Sequence, residues 1–286
     1  MPLLLLVSLV WAFSFGLIKG RLAGLDSSFI SAIRLGLALL VFMPFFRPRG
    51  LTWRLTLSLA SIGALQFGLM YLAYNESFKH LPAYEVALFT LTTPIFVTLF
   101  ADALDHRFRV RALLAALLAV VGAAVVAFKT NMIVGSLIGL GLVQLSNGAF
   151  AIGQVLYRRL HALNPTINDR QVFALLYAGG LAATLPLALV RNDFAALALT
   201  QSQLGTLLYL GIVASGLCFF WWNLGATRVS TAVLAVFNNA KVPLGVACSI
   251  LFFGESANLP RLLIGSALMV SAIALAEKNK TNANRH

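Results

Sequence analysis

The stretch FNNAKVPLG, residues 237–245, sets a lysine and two asparagines between the apolar runs VSTAVLAV and VACSILFF. A buried ammonium group is costly unless it is paired and hydrogen-bonded, so Lys241 needs an anion or a set of carbonyl acceptors. On a helix, Asn238, Lys241 and Gly245 share one face. Pro243 cannot donate to the carbonyl of Asn239, which leaves that acceptor open or kinks the chain. Irregular backbone at membrane depth is tolerated where it is buried in protein or lines a water-filled cavity. Two readings follow. Lys241 binds a substrate carboxylate in a central cavity with Asn238 beside it, or it is a structural lysine bonded to neighbouring helix carbonyls.

Other residue types with chemistry are few. Arg34 in AIRLG and Glu85 in AYEVALF are the remaining ionisable groups inside apolar runs, where each charge at the bilayer centre costs at least about 2.5–3.5 kcal/mol. Arg34 is expected to snorkel toward an interface or to bind helices together, with a gating ion pair to Glu85 as the functional alternative. Gln144, Asn147, Ala151, Gln154 and Arg158 form a polar or small stripe on one helix face, which either lines a pathway or bonds adjacent helices. Trp11, Tyr71 and Tyr74 are candidates to stack on an apolar or aromatic substrate. Trp221 and Trp222 read as an interfacial belt. Thr90, Thr92 and Thr93 can satisfy carbonyls released by Pro94.

The elements that hold these groups are membrane helices. The chain of 286 residues is 60% hydrophobic and only 10% charged, against about 25% charged in a soluble domain, so lipid is its solvent. Alternation of period 2 is absent, which argues against a barrel. Ten candidate spans lie near residues 3–20, 27–46, 55–75, 82–101, 112–128, 134–157, 171–190, 203–223, 229–252 and 260–276, each of a length that crosses a hydrocarbon core. The first is read as a retained helix rather than a signal peptide. Lys and Arg of the C-terminus and the connectors after even-numbered spans outnumber those of the opposite connectors about two to one, which places both termini in the cytoplasm. The net charge of +12 therefore reflects topology rather than a nucleic-acid face. Cys218 and Cys248 read as packing residues.

A weak internal repeat adds an architecture. LFTLTTPIFVTLFADAL (88–104) superimposes on FNNAKVPLGVACSILFF (237–253), so that Pro94 meets Pro243 and Thr92 meets Lys241. A unit of five spans followed by its copy must invert it, and inverted repeats place a binding site near the midplane between halves. The expectation is an all-α membrane protein of ten transmembrane helices in two inverted five-helix repeats, residues 1–130 and 131–286.

The residues WAFSF in the first span, AIRLGLALLV in the second, YLAYNESFKHLPAYEVALFTLTTPIFVTLFADAL, and WWNLGATRVSTAVLAVFNNAKVPLGVACSILFFGES with its Gly254–Glu255 pair together resemble the drug/metabolite transporter superfamily, in particular its EamA-type ten-helix members. In the first half the matching pair reads Asp105–His106, a departure from that pattern. The resemblance spans essentially the whole chain and is greatest to bacterial exporters of aromatic and other amino acids. It implies a multi-pass inner-membrane secondary transporter working by alternating access, mainly outward, with a small-molecule substrate. Drug export within the same superfamily, or a passive channel, are the alternatives.

No G-x-S-x-G, H-E-x-x-H or C-x-x-C pattern occurs, nor a G-x-x-x-x-G-K-[ST] loop for ATP. The four histidines fall in connectors or the tail. Neither an enzyme nor a cofactor or metal is expected. A single central cation with amides and aromatics suits a zwitterion with an apolar side chain better than a phosphate ester, which favours several basic groups.

Overall fold

The computed structural model describes residues 1–22, 24–81, 83–127, 136–193, 198–244 and 259–283. Within them every apolar run becomes helix and no strand is present, because backbone polar groups in hydrocarbon must be satisfied inside their own segment. The order is α1 (Pro2–Arg21), α2 (Ser27–Phe42), α3 (Trp53–Gly63), α4 (Met70–Ser77), α5 (Ala83–Phe89), α6 (Thr93–Leu104), α7 (Val110–Ala127), α8 (Leu137–Leu163), α9 (Asp169–Arg191), α10 (Gln201–Leu208), α11 (Cys218–Thr227), α12 (Thr231–Phe237) and α13 (Leu259–Ala283). Hydroxyl caps start many of them. Thr52, Ser136, Thr200 and Ser230 each accept the N–H three residues on, as N-cap residues do.

Several of these helices are halves of one interrupted span. A π-helical segment, Ala64–Leu69, joins α3 to α4, and a second, Tyr209–Leu217, joins α10 to α11. A 3₁₀ turn, Thr90–Thr92, joins α5 to α6 just before Pro94. Past α12 the chain makes a turn over 238–240 and is helical again over 241–244. Among the described residues seven continuous stretches are long and apolar enough to cross a membrane: 27–45, 53–77, 85–104, 137–163, 169–191, 201–227 and 259–277. Pro2–Ala12 and Val110–Val126 are shorter apolar helices. The ninth expected span is described only to residue 244, and Gly245, Cys248, Gly254 and Glu255 lie outside the described residues.

Packing follows small residues. α2 lies along α9, α7 along α13, α1 along α11, and α4 along α8, while α6 crosses α12. Between α3 and α9 the backbones nearly touch, since a Cβ on Gly63 would fall 1.8 Å from the Leu176 carbonyl oxygen and one on Gly179 1.8 Å from that of Ala60. Gly122 of α7 likewise meets Gly265 of α13 at backbone distance, since a Cβ on Gly122 would fall 2.8 Å from the Gly265 carbonyl oxygen. The outer surface is apolar: Leu40, Leu137, Ile138, Leu189, Val190, Leu263 and Val270 are exposed, which is the surface a lipid environment requires.

Charges collect at the two ends. At one, Glu76 meets Lys79 at 3.0 Å and Arg191 at 3.5 Å, and Lys79 also faces Asp26 at 3.7 Å. At the other, Arg109 pairs with Asp102 at 3.2 Å and with Asp105, which also faces Arg159 at 3.6 Å. Asp26 caps α2, accepting from the Ser28 backbone N–H at 2.8 Å and from the Ser28 hydroxyl. Burial pushes its carboxyl up, but the Ser28 hydrogen bonds, Asn192 and Lys79 outweigh that and hold it below its ordinary value of 3.8. A lowered carboxylate stabilises the fold above its unfolded pKa and loses that contribution as pH falls through the folded value. Asp26→Asn should therefore melt below the parent at neutral pH, by about 0.5 kcal/mol for a partly exposed charge at a helix N-terminus. In thermal scans the gap should close below a pH of about 4. A gap that persists unchanged in acid would contradict this.

Candidate functional site

The breaks in the two proline-containing stretches meet in the middle of the bundle. Because Pro94 has no N–H for the Thr90 carbonyl, the Thr93 hydroxyl donates to it at 2.7 Å. The Phe89 carbonyl accepts from Asn147 at 2.9 Å and from the Thr92 hydroxyl at 3.0 Å. The Leu91 carbonyl accepts from Asn239 at 2.9 Å, so one break is bonded directly to the other. At the second break the chain kinks, the second of the two outcomes expected of Pro243, and the Asn239 carbonyl does not stay open. The Val242 N–H donates to it at 3.0 Å in a tight turn.

α8 stitches both breaks with its polar stripe. Gln144 accepts from Thr92 at 2.7 Å, and Asn147 donates to Thr92 at 3.0 Å as well as to Phe89. Two turns on, Gln154 accepts from the Trp222 indole at 2.9 Å and exchanges hydrogen bonds with Asn238 at 3.4 Å. Arg158 donates to Thr231 at the start of α12. Between the two readings of the stripe, bonding of neighbouring helices accounts for Gln144, Gln154 and Arg158, and only Asn147 also reaches a cavity.

That cavity lies beside the breaks and has a volume of about 710 Å³, counting its open side. Trp11, Tyr71, Tyr74, Asn147 and Lys241, all singled out from the sequence, line it together. So does Arg34. Asn238, Gln144 and Gln154 are not among the lining residues. Asn238 is buried and turned to Gln154 and the Leu234 carbonyl, away from the face it was expected to share with Lys241. Glu85 is buried in the first turn of α5.

The structure decides between the two readings of Arg34 and corrects the one for Trp222. Arg34 binds helices together rather than snorkelling: it is 4% exposed, with Nε donating to Ser215 at 3.1 Å and Nη2 to the Tyr71 hydroxyl at 2.5 Å. Trp222 is no interfacial belt residue, since it is fully buried, bonded to Gln154 and packed on Trp11 with ring centroids 5.0 Å apart. The reason is common to both. A polar tip bonded inside the bundle outweighs a reach to the interface when a matching acceptor faces it.

The aromatic wall is larger than sequence reading proposed. Trp11, fixed by its indole N–H on the Ala214 carbonyl at 2.9 Å, meets Phe219 and Phe150 edge to face, with ring centroids 5.4 Å and 6.1 Å apart. Phe150, Phe219, Ser146, Thr90 and Thr93 were missed as lining residues. Phe150 sits one turn from Ser146 and three residues from Asn147, a spacing that could have flagged it. Among the described lining residues there are two cations and no carboxylate. Such a chamber can hold an organic anion with an apolar body and further hydrogen-bonding groups.

A helical bundle with broken central spans and a polar–aromatic chamber is a transporter architecture. The chain belongs to the EamA-like transporter family, whose model matches residues 1–128 and 137–277. It is a multi-pass membrane transporter and not an enzyme. It is 44% identical to a probable biotin transporter of Pseudomonas aeruginosa over 96% of each chain. It is also 37% identical to a biotin transporter of Salmonella typhimurium and 35% identical to one of Escherichia coli K12, over 97% of this chain and 93% of each of those. In fold it is similar to a crystal structure with a TM-score of 0.78, 19% sequence identity and 96% coverage of both chains.

Proposed function

We propose that the chain carries biotin, or a monocarboxylate of the same shape, across the bacterial inner membrane. It does so by alternating access between two inverted five-helix halves, residues 1–130 and 131–286, with both termini cytoplasmic. The observation that carries the substrate class is the charge of the chamber. Arg34 and Lys241 line it, with no carboxylate among the described lining residues. An amino acid, the class suggested by sequence, would bring an ammonium group for which that lining offers no anion. Biotin brings a carboxylate, a flexible apolar chain and a ureido ring. Trp11, Phe150 and Phe219 suit its apolar body, and Ser146, Asn147 and the threonines of the first break suit its ring. The relatives named for biotin agree with that chemistry.

The packing supports the two-halves reading. Exchanging the halves turns the pairing of α1 with α11 into that of α8 with α4, and the pairings of α2 with α9 and of α7 with α13 map onto themselves. The π segments also fall in the third and eighth spans, five apart. Two inverted bundles joined at their breaks by Asn239 can rock about the crossing of α6 and α12 while the chamber stays near the midplane.

A strain that can neither make nor import biotin tests the substrate. Expression of this chain should restore growth at nanomolar biotin, and unlabelled biotin should compete with labelled biotin for entry. Absence of growth with the protein present in the membrane would contradict the proposal.

A further inference from the structure

Arg34 is built into the chamber in an unusual way. Among the described residues its guanidinium is held by neutral acceptors alone: Ser215 on Nε at 3.1 Å and the Tyr71 hydroxyl on Nη2 at 2.5 Å. Those two acceptors are bonded to each other at 2.8 Å, and the guanidinium carbon lies 4.2 Å from the centre of the Tyr71 ring. Each orienting group depends on a π-helical segment, since Ser215 lies within Tyr209–Leu217 and Tyr71 is the second residue of the helix after Ala64–Leu69. Among the described residues no ion pair engages Arg34, and its Nη1 is buried with no hydrogen-bond partner.

An arginine is charged throughout the physiological range, and an uncompensated buried charge costs several kcal/mol. Ser215, Tyr71 and the stacked ring fix the direction of the fork without neutralising it. They leave both N–H bonds of Nη1, together with the second of Nη2, for a ligand. One N–H from each terminal nitrogen matches the two oxygens of a carboxylate, a planar two-point fit that an ammonium group lacks.

We propose that Arg34, aimed by Tyr71 and Ser215, is the carboxylate anchor of the transport site, and that Lys241 is not. This deepens the function proposed above and rests on the chamber being the substrate path. The consequence is a selection rule. The site takes the free acid and rejects the amide or ester of the same molecule, because neither neutralises the guanidinium. Filling the site supplies the missing counter-charge, so substrate binding relieves a strain that the empty protein carries.

The test uses the purified full-length chain, with binding read from ligand-dependent thermal stabilisation. The probes are biotin against biotin amide, and 5-phenylvalerate against its amide, so that the anchor is assayed apart from biotin itself. Wild type should prefer each acid over its amide by about 30-fold, the value of a charge-assisted hydrogen-bonded pair. Arg34→Gln should erase that preference without lowering the melting temperature of the ligand-free protein, Arg34→Lys should keep only part of it, and Tyr71→Phe should weaken it. Lys241→Gln should retain it. Binding of phenylvalerate without biotin would sink the biotin reading and leave the anchor standing. An acid preference that survives Arg34→Gln, or that disappears in Lys241→Gln, would overturn the anchor, as would stabilisation of wild type by neither acid. A fall in ligand-free melting temperature in Arg34→Gln with the preference kept would make Arg34 a structural residue.

Discussion

Gly179→Val should abolish folded protein in the membrane. A Cβ at position 179 would fall 1.8 Å from the Ala60 carbonyl oxygen and 2.8 Å from its Cα. Both are backbone atoms, so no rotamer change can make room. The helices must separate, and separation would also open the facing contact of Gly63 on Leu176. Association of membrane helices depends on close backbone packing of small residues, since lipid tails are as apolar as the side chains they replace. Overpacking a core costs about 1–3 kcal/mol where side chains can adjust, and a clash with fixed backbone lies at or beyond the upper end of that range. Fluorescence-detected size exclusion should show loss of the monodisperse peak. Gly141→Ala is the control, because a Cβ there meets nothing within 4 Å, and it should leave the peak intact. A monodisperse Gly179→Val protein with parental melting would contradict the packing described here.

Lys241→Gln should reduce transport at least about tenfold, the size of one lost hydrogen bond from a charged donor to a neutral acceptor, while leaving membrane abundance unchanged. Lys241 lies immediately after the turn at 238–240 and lines the same chamber as Asn147 and Trp11. That turn is bonded to the first break through Asn239 and Leu91. The lysine therefore sits where the two breaks are joined, and its loss should be felt in flux, with the acid-over-amide selectivity unchanged. Initial rates over a range of substrate concentration, normalised to protein in the vesicles, separate these effects. Parental rates in Lys241→Gln would remove it from the pathway.

Much of the frame was legible in the chain because lipid enforces it. Apolar runs must be helices, so the positions of α2, α7, α8, α9 and α13 followed from run length and polar connectors. Pro94 and Pro243 marked the breaks for a local reason, a missing N–H. Trp11, Tyr71, Tyr74, Asn147 and Lys241 were singled out because each is polar or aromatic at membrane depth, and all five reach the chamber.

What could not be read was which neighbour faces each helix. The face of α8 was visible as a stripe, but its division among Thr92, Trp222, Asn238 and Thr231 depends on helices distant in sequence. The two π segments have no sequence signal beyond glycine. Each inserts a wider turn that rotates the helix after it, which is how Tyr71 and Ser215 come to face Arg34. A 3.6-residue wheel drawn through either segment misplaces every later side chain. The sequence accordingly leaves Arg34 between a reach to the interface and a helix-binding role, and Ser215, small and enclosed by apolar residues, is passed over.

The central claim is that a monocarboxylate crosses the membrane through the chamber that Arg34 and Lys241 line. Counterflow of labelled biotin into proteoliposomes preloaded with unlabelled biotin tests it most directly. The prediction is saturable, protein-dependent accumulation that unlabelled biotin suppresses, biotin amide does not, and Arg34→Gln abolishes at the same biotin concentration. Equal accumulation in protein-free vesicles, or suppression by amide as complete as by the acid, would contradict it.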